Sequence, residues 1–286
     1  MKSQDPNQEH LQSIINLYTE GQMQLALSES SQMLERFPNS VILFNIAGAS
    51  NAALMQFDAA IESYKQALRI KPDYADAYYN MGVALNDKGD PEAAIESYKQ
   101  ALRINPDYFK AYNNMGVALN DKSDPEAAIE SYKQALRINP DYADAYNNMG
   151  VALNDNGDPE AAIESYKQAL RINPDYADAY NNMGSALKDK GDLEEAIDNY
   201  KQALRIKPDY AEGYSNLGAA QLLLNHTEQA IASYEKAISL KKDLNTAISG
   251  LGMVLLKKGE HSEGLDKLRH GDGSILFNIK SGISIK

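Results

Sequence analysis

Asparagine recurs at one position of a 34-residue period through the middle of this chain. The column consists of Asn80, Asn114, Asn148, Asn182 and Asn216. A side-chain amide both donates and accepts hydrogen bonds, so each member could pair with the N–H and the C=O of an extended backbone. Asparagine is a poor helix former, and a solvated helix face would ordinarily carry lysine or glutamate instead. The column therefore predicts a row of hydrogen-bonding groups for a bound peptide.

Two further polar columns follow six and seven residues after the first. They consist of Asn86, Asn120 and Asn154, and of Asp87, Asp121, Asp155 and Asp189. The carboxylates recur from unit to unit, whereas an active site usually occurs once, so they indicate complementarity to a basic peptide more than acid–base catalysis. The net charge of −12 should repel nucleic acids and anionic membranes. The expected partner is a basic or neutral protein or peptide.

Duplication is an alternative explanation of the first asparagine column. The segments 75–108, 109–142 and 143–176 are almost identical and could have carried their asparagines along passively, as a solvated face. The segment 211–244 differs at most surface positions and still contains Asn216, which favours a binding role. Both explanations predict that alanine at these positions leaves the helices at least as stable, because alanine has the higher helix propensity.

The columns are positioned by a repeated pair of helices. In the unit that begins at Ala75, the residues Tyr78, Met81, Gly82 and Leu85 fall on one face of a first helix. Asp73 is expected to cap its N-terminus. Asp90 and Pro91 are expected to begin a second helix, from about 91 to 104, because aspartate accepts first-turn amides and proline tolerates the first helical position.

Small and aromatic residues recur with the same period. Glycine is found at Gly48, Gly82, Gly116, Gly150, Gly184, Gly218 and Gly252. Tyrosine follows 16 residues after most of them, at Tyr64, Tyr98, Tyr132, Tyr166, Tyr200 and Tyr234. Gly82 and Ala94 should let the two helices of their unit approach closely, and a larger residue there would overpack the contact.

This pattern resembles the tetratricopeptide repeat. It is carried by Tyr146, Met149-Gly150, Ala162, Tyr166, Ala169 and Pro174 and by their equivalents. The resemblance covers eight units, 7–40, 41–74, 75–108, 109–142, 143–176, 177–210, 211–244 and 245–270, of which the first and last are degenerate, as capping repeats are. It implies an all-α, right-handed superhelical solenoid of antiparallel helix pairs. In this family the first helices line a concave groove that commonly receives an extended peptide or a helix.

The asparagine column is also similar to the one that lines the repeat arm of the O-linked N-acetylglucosamine transferase family. In that family such asparagines hold the substrate backbone. The likeness is to the arm alone, and no residues remain for a glycosyltransferase domain. Ile46 and Gly250 interrupt the column at its two ends.

The ends of the chain differ from its middle. Residues 1–6 are predicted to be a flexible N-terminus, and 271–286 form a C-terminal tail in which Gly271 and Gly273 end the last helix. Alternating isoleucine and phenylalanine in this tail indicate a short β-hairpin. Apolar residues take groove positions in the terminal units, namely Ile42, Ala49, Ala52, Ala53, Leu222, Leu223, Met253 and Leu256. The apolar ends could be capping contacts, or they could be covered by terminal segments, by an apolar stretch of ligand or by another copy of the chain. A homo-oligomer could thus form through the apolar ends or the tail.

Enzymatic chemistry finds little support in the composition. Cysteine is absent, and the four histidines match no ligand spacing, so no catalytic residue, metal or cofactor is expected. Neither a signal peptide nor a membrane span is apparent, and a cytoplasmic location is expected. The sequence predicts a non-enzymatic protein-interaction scaffold. The alternatives are the substrate-recruiting arm of an enzyme whose catalytic domain is absent from this chain, and a self-assembling module.

Overall fold

The computed structural model of this protein describes residues 5–272, 275–278 and 282–285. These residues form sixteen α-helices and two short strands. The chain divides into two compact units, Met1–Pro140 and Asp141–Lys286. The predicted all-α class is confirmed.

Consecutive helices pack as pairs, and we call the first helix of each pair the A helix and the second the B helix. The first unit contains α1 (Gln8–Thr19), α2 (Met23–Arg36), α3 (Val41–Ala53), α4 (Phe57–Ile70), α5 (Ala75–Asp87), α6 (Pro91–Ile104), α7 (Phe109–Asp121) and α8 (Pro125–Ile138). The second unit contains α9 (Ala143–Asp155), α10 (Pro159–Ile172), α11 (Ala177–Lys190), α12 (Leu193–Ile206), α13 (Ala211–Leu223), α14 (Thr227–Leu240), α15 (Asn245–Lys258) and α16 (His261–Asp272).

The B helices begin as the sequence predicts. Asp90 accepts a hydrogen bond from the N–H of Ala93 at 3.1 Å, and Pro91 occupies the first turn of α6. The A helices begin one residue later than predicted. Tyr74, not Asp73, is the N-cap of α5, and its side chain makes no capping bond. The reason is that the carbonyl of Tyr74 accepts the first helical hydrogen bonds, from the N–H groups of Ala77 and Tyr78.

The two ends of the chain differ in how far they can be described. Residues 1–4 of the predicted flexible N-terminus lie outside the described residues, while Asp5 accepts a hydrogen bond from the Ser40 hydroxyl. In the tail, β1 (Ile275–Asn278) pairs antiparallel with β2 (Gly282–Ile285), as the alternating pattern predicts. Residues 279–281 between the strands are outside the described residues. Helix α16 extends to Asp272, past its predicted end.

Gly271 lies inside α16, although the sequence predicts that this glycine ends the helix. It is a glycine inside the helix because α16 passes close to Ser249 of α15, so that a Cβ atom at Gly271 would collide with the serine side chain. The residue therefore serves a helix–helix contact and not a helix end.

A buried tyrosine ring occupies the space beside each A-helix glycine in the middle repeats. A Cβ atom added to Gly82 would lie 2.6 Å from Cε1 of Tyr98, and Tyr98 itself is 1% exposed. The same contact joins Gly116 to Tyr132 and Gly184 to Tyr200. The predicted close approach of the A and B helices thus occurs where a B-helix tyrosine ring packs on the backbone of an A-helix glycine.

The distance between glycine and ring predicts a graded loss of stability. A Cβ on Gly150 would lie 2.5 Å from Tyr166, whereas one on Gly218 would lie 3.0 Å from Tyr234. Overpacking costs about 1–3 kcal/mol, and alanine returns about 1 kcal/mol through helix propensity. Gly150→Ala should therefore lower the denaturation midpoint in urea, and Gly218→Ala should lower it less. Equal shifts in the two variants would contradict the ring contact as the cause.

Candidate functional site

The A helices of each unit form an inner layer. In the first unit α3 contacts α5 and α5 contacts α7, and in the second the contacts run from α9 through α11 and α13 to α15. Neighbouring B helices make no comparable contacts in the part of the chain that the structure describes. We call the open surface of the inner layer the groove face. It is defined by Asn80, Val83, Asn86 and Asp87 and by the residues at the same repeat positions.

All three predicted polar columns lie on the A helices. The half-buried members are Asn80, Asn114, Asn148, Asn182, Asn216, Asn86, Asn120 and Asn154. The exposed members are Asp87, Asp121, Asp155 and Asp189. Their role in binding stays a prediction, but their hydrogen bonds and ion pairs divide them into groups with different partners.

The first asparagine column is hydrogen-bonded along the second unit. Asn216 Nδ2 donates to Asn181 Oδ1 at 3.0 Å, and Asn182 Nδ2 donates to Asn147 Oδ1 at 3.1 Å. Within each helix the preceding asparagine completes the connection: Asn181 donates to Asn182 at 3.5 Å and Asn147 donates to Asn148 at 3.4 Å. These bonds form one continuous chain of amides, which we call the amide ladder.

The first unit contains shorter stretches of the same arrangement. Asn113 Nδ2 donates to Asn114 Oδ1 at 3.1 Å, and Asn114 Nδ2 donates to the Tyr79 hydroxyl at 3.1 Å. Asn80 donates to Asn45 Oδ1 at 3.1 Å. The first asparagine column therefore has a hydrogen-bond partner in α3, at Asn45, although Ile46 occupies the column position itself.

The sequence did not predict that the asparagines before the first column are buried and connect neighbouring repeats. Asn113, Asn147 and Asn181 are only 4–6% exposed, so they are buried connecting residues and not groove contacts. Their signal was the Asn-Asn dipeptide, which recurs every 34 residues.

At Asn182 the ladder uses only part of the side-chain amide. A side-chain amide has two N–H donors and two carbonyl lone pairs. At Asn182 one donor binds Asn147 and one lone pair accepts from Asn181, so one donor and one lone pair remain. The ladder thereby fixes the orientation of the Asn182 amide and leaves one of its donors and one of its lone pairs unused.

Groove-face carboxylates form two rows with different partners. In the row at the helix starts, Asp76 accepts a hydrogen bond from the Tyr108 hydroxyl at 2.9 Å, and Asp144 accepts one from Tyr176 at 3.0 Å. Burial, followed by the bond and charge of Asp76, raises the pKa of Tyr108. The hydrogen bonds of this row connect the start of each A helix to the end of the same repeat, so these carboxylates have a structural role.

The second row lies at the helix ends. Asp87 and Asp121 are the last residues of α5 and α7, where a carboxylate adds to the negative end of the helix dipole. The adjacent lysines turn away from them: Lys88 pairs with Asp58 at 2.6 Å, and Lys122 pairs with Glu92 at 2.9 Å. Negative charge is therefore left on the groove face at the ends of these two helices.

The described residues also bear on metal binding and on membrane insertion. No cluster of three or more histidine, aspartate or glutamate side chains is arranged to hold a metal ion there. Among the same residues, every helix is too short or too polar to cross a bilayer.

Paired helices stacked with a hydrogen-bonding inner face define a helical repeat protein of the protein-interaction class. The TPR repeat family matches residues 54–89, 118–157, 152–191 and 184–225. Families described as tetratricopeptide repeat match residues 75–108, 97–130 and 211–244. The chain belongs to the tetratricopeptide repeat family.

Known structures and proteins with the same repeat support this assignment. The structure of the APC/C hetero-tetramer Cut9-Hcn1 has a TM-score of 0.71 at 17% sequence identity. The match covers 87% of this chain and 49% of the Cut9-Hcn1 chain. At this identity, it shows the superhelical repeat fold alone. MamA is 32% identical with a TM-score of 0.53, over 58% of this chain and 96% of its own. YrrB, described as a TPR protein with an unusual peptide-binding site, is 23% identical with a TM-score of 0.52, over 66% of this chain and 97% of its own.

One curated relative is an enzyme. A probable UDP-N-acetylglucosamine–peptide N-acetylglucosaminyltransferase of Arabidopsis thaliana is 34% identical over 76 residues. Those residues are 27% of this chain and 8% of the relative, so the likeness concerns a small part of that protein. It agrees with the resemblance of the asparagine column to the repeat arm of such transferases.

The amide ladder reverses the expected effect of alanine. Asn182→Ala would leave the buried Oδ1 of Asn147 without its donor, which costs about 1–3 kcal/mol, against at most about 0.7 kcal/mol gained in helix propensity. The variant should be less stable than the wild type in urea denaturation followed by circular dichroism.

A double-mutant cycle with Asn147→Ala provides the control. If the two side chains act through one hydrogen bond, their effects should be non-additive by at least about 0.5 kcal/mol. Additive losses, or a gain in stability for Asn182→Ala alone, would contradict the ladder.

Proposed function

We propose that this protein is a non-enzymatic interaction scaffold that binds an extended peptide segment of a partner protein along its groove face. The observation that carries the proposal is the amide ladder, because it holds Asn182 and Asn216 in fixed orientation and leaves Asn182 a spare donor and a spare lone pair. An amide that is already oriented loses little conformational entropy when it binds a backbone. A free surface asparagine would lack this advantage.

The backbone and the side chains of the peptide would be recognised by different columns. The ladder asparagines would pair with backbone N–H and C=O groups, which every sequence presents, and each bond would contribute a net of about 0.5–1.5 kcal/mol. The carboxylates at the helix ends would favour basic residues. Partners of this kind are basic or neutral proteins, and binding should weaken as salt screens the carboxylates.

A substitution that fills the groove face tests this proposal without breaking the ladder. Val151 is a half-buried residue of α9 at a groove position. With a peptide selected from a random library on the immobilised protein, Val151→Arg should lower the affinity by about tenfold or more, because the larger side chain occupies the peptide's path. Fluorescence anisotropy with the labelled peptide measures the change.

Gln168→Arg is the matched control. It adds the same charge on the B helix α10, away from the groove face. Its affinity for the peptide should remain close to that of the wild type. If both variants bind like the wild type, or both lose affinity equally, the peptide does not occupy the groove face.

Self-association is a second candidate function, favoured by exposed apolar residues near the C-terminal repeats. Leu223 on α13 is 59% exposed and Met253 on α15 is 45% exposed. If they join copies of the chain, light scattering should show a mass that rises with concentration in the wild type and stays monomeric in the Leu223→Ser, Met253→Ser double variant. A monomeric wild type over the whole concentration range would exclude this function.

The resemblance to a transferase arm is compatible with the first proposal. A recruiting arm would hold its substrate in the same way, through the backbone of an extended segment. The groove variants above would then lower the modification of a substrate by the partner enzyme as well as its binding.

A further inference from the structure

A small cavity lies on the groove face of the first unit, between α5, α6 and α7. It has a volume of about 200 Å³ and is lined by Val83, Asn86, Asp87, Tyr98, Asn114 and Val117. Sites for drug-sized ligands measure about 300–1,000 Å³, so this cavity is too small for one. It is the right scale for a single side chain of a bound peptide.

The polar lining of the cavity includes a carboxylate, at Asp87, and a side-chain amide, at Asn86. Asn86 Nδ2 donates to Asp121 Oδ2 at 3.4 Å, which directs the carbonyl oxygen of the amide away from that carboxylate. This oxygen, Asn86 Oδ1, is buried and has no hydrogen-bond partner. A buried acceptor without a partner is costly, and a donor that enters the cavity would remove this cost.

Asp87 supplies the charge of the cavity. No lysine or arginine of the described residues lies within 4 Å of its carboxylate, because the neighbouring Lys88 pairs with Asp58. Burial, followed by the charges of Tyr79 and Asp87, raises the pKa of Tyr98. The Tyr98 hydroxyl therefore stays neutral at physiological pH, and Asp87 is the charged member of the lining.

The chain contains its own example of a cation at the equivalent position. Lys188 and Asp189 of α11 lie three repeats after Asn86 and Asp87. Lys188 Nζ lies 3.5 Å from Asp189 Oδ1, and Asp189 also accepts from Asn154 at 3.2 Å. An ammonium group can thus lie beside this carboxylate while the carboxylate keeps its hydrogen bond to the preceding repeat.

We propose that the cavity at Asp87 binds the cationic side chain of a lysine or arginine in the groove-bound peptide. The inference rests on the proposed peptide-binding function and assigns the specificity of one subsite. Val83 and Val117 contact the aliphatic part of the side chain, and the cationic group donates to the Asp87 carboxylate and to Asn86 Oδ1. At Asp189 the chain's own Lys188 takes this place, so the preference for a cationic residue differs between repeats.

Asn86→Lys tests the assignment, because it copies the arrangement at Lys188 and should fold as α11 does. Peptides selected on the wild type from a random library should contain lysine or arginine at one recurring position. For such a peptide, Asn86→Lys should lower the affinity by about tenfold, because the new ammonium occupies the cavity and neutralises Asp87. When that peptide residue is replaced by norleucine, wild type and variant should bind alike.

Two further variants make the outcome specific. Gln134→Lys adds the same charge on the B helix α8 and should leave the affinity unchanged. Asp87→Asn removes the charge at constant size and should also abolish the preference for the basic peptide over its norleucine form.

The failures of the two proposals are distinguishable. Ala49→Arg places the same side chain at the equivalent groove position of α3, in the same unit as Asp87. If the basic peptide binds Asn86→Lys and Asp87→Asn as tightly as the wild type, while Ala49→Arg weakens it, the cavity assignment is wrong and groove binding stands. If neither Ala49→Arg nor Val151→Arg weakens the binding of any selected peptide, or if the selection on the wild type yields no binding peptide, the proposed function is wrong and the cavity assignment with it.

Discussion

The structure depends on the contact between a tyrosine ring of the B helix and a glycine of the A helix. Tyr98 packs where Gly82 has no side chain, and the same contact recurs through the central repeats. Because the ring is rigid and the interior is close-packed, the contact defines how near the two helices lie and how they are rotated. Each A helix therefore presents the same face, and side chains whose repeat positions differ by one residue come within hydrogen-bonding distance on neighbouring A helices.

The amide ladder is the result of that alignment, and in the proposed function it connects stability with recognition. Asn147 and Asn181 are buried, so their hydrogen bonds to the next repeat replace water that cannot reach them. A buried polar network stabilises a structure only when its members are satisfied, which makes the ladder sensitive to any single loss. The same network orients Asn182 and Asn216 at the groove face. A substitution that removes one of these proposed binding groups should thus also weaken the contact between repeats.

Nearly identical repeats acquire different chemistry through single substitutions. The carboxylates at the helix starts are bound by tyrosines, whereas Asp87 at a helix end has no cation of its own. In α11 a lysine replaces the asparagine before the equivalent carboxylate and pairs with it. The charge beside these carboxylates therefore differs between α5 and α11. In the proposed function, this difference and not the repeated backbone contacts would set the register of the peptide.

The sequence by itself determined the period, the helix pairs, the B-helix caps and the pairing of the C-terminal strands. These features depend on local preferences and on spacing along the chain, for example the cap formed by Asp90 before Pro91. It also identified the three polar columns and placed them on A helices. The starts of the A helices at Tyr74 and the extension of α16 past Gly271 were not predicted, because both depend on which neighbouring group the backbone meets.

Only the tertiary structure decided what the asparagines contact. The bond from Asn182 to Asn147 joins residues 35 positions apart, and it forms only at one relative rotation of two A helices. Periodicity shows that two residues occupy equivalent positions, but it does not show the distance between their side chains. The same limit applies to the cavity at Asp87, whose lining comes from three helices brought together by the packing of Tyr98 against Gly82.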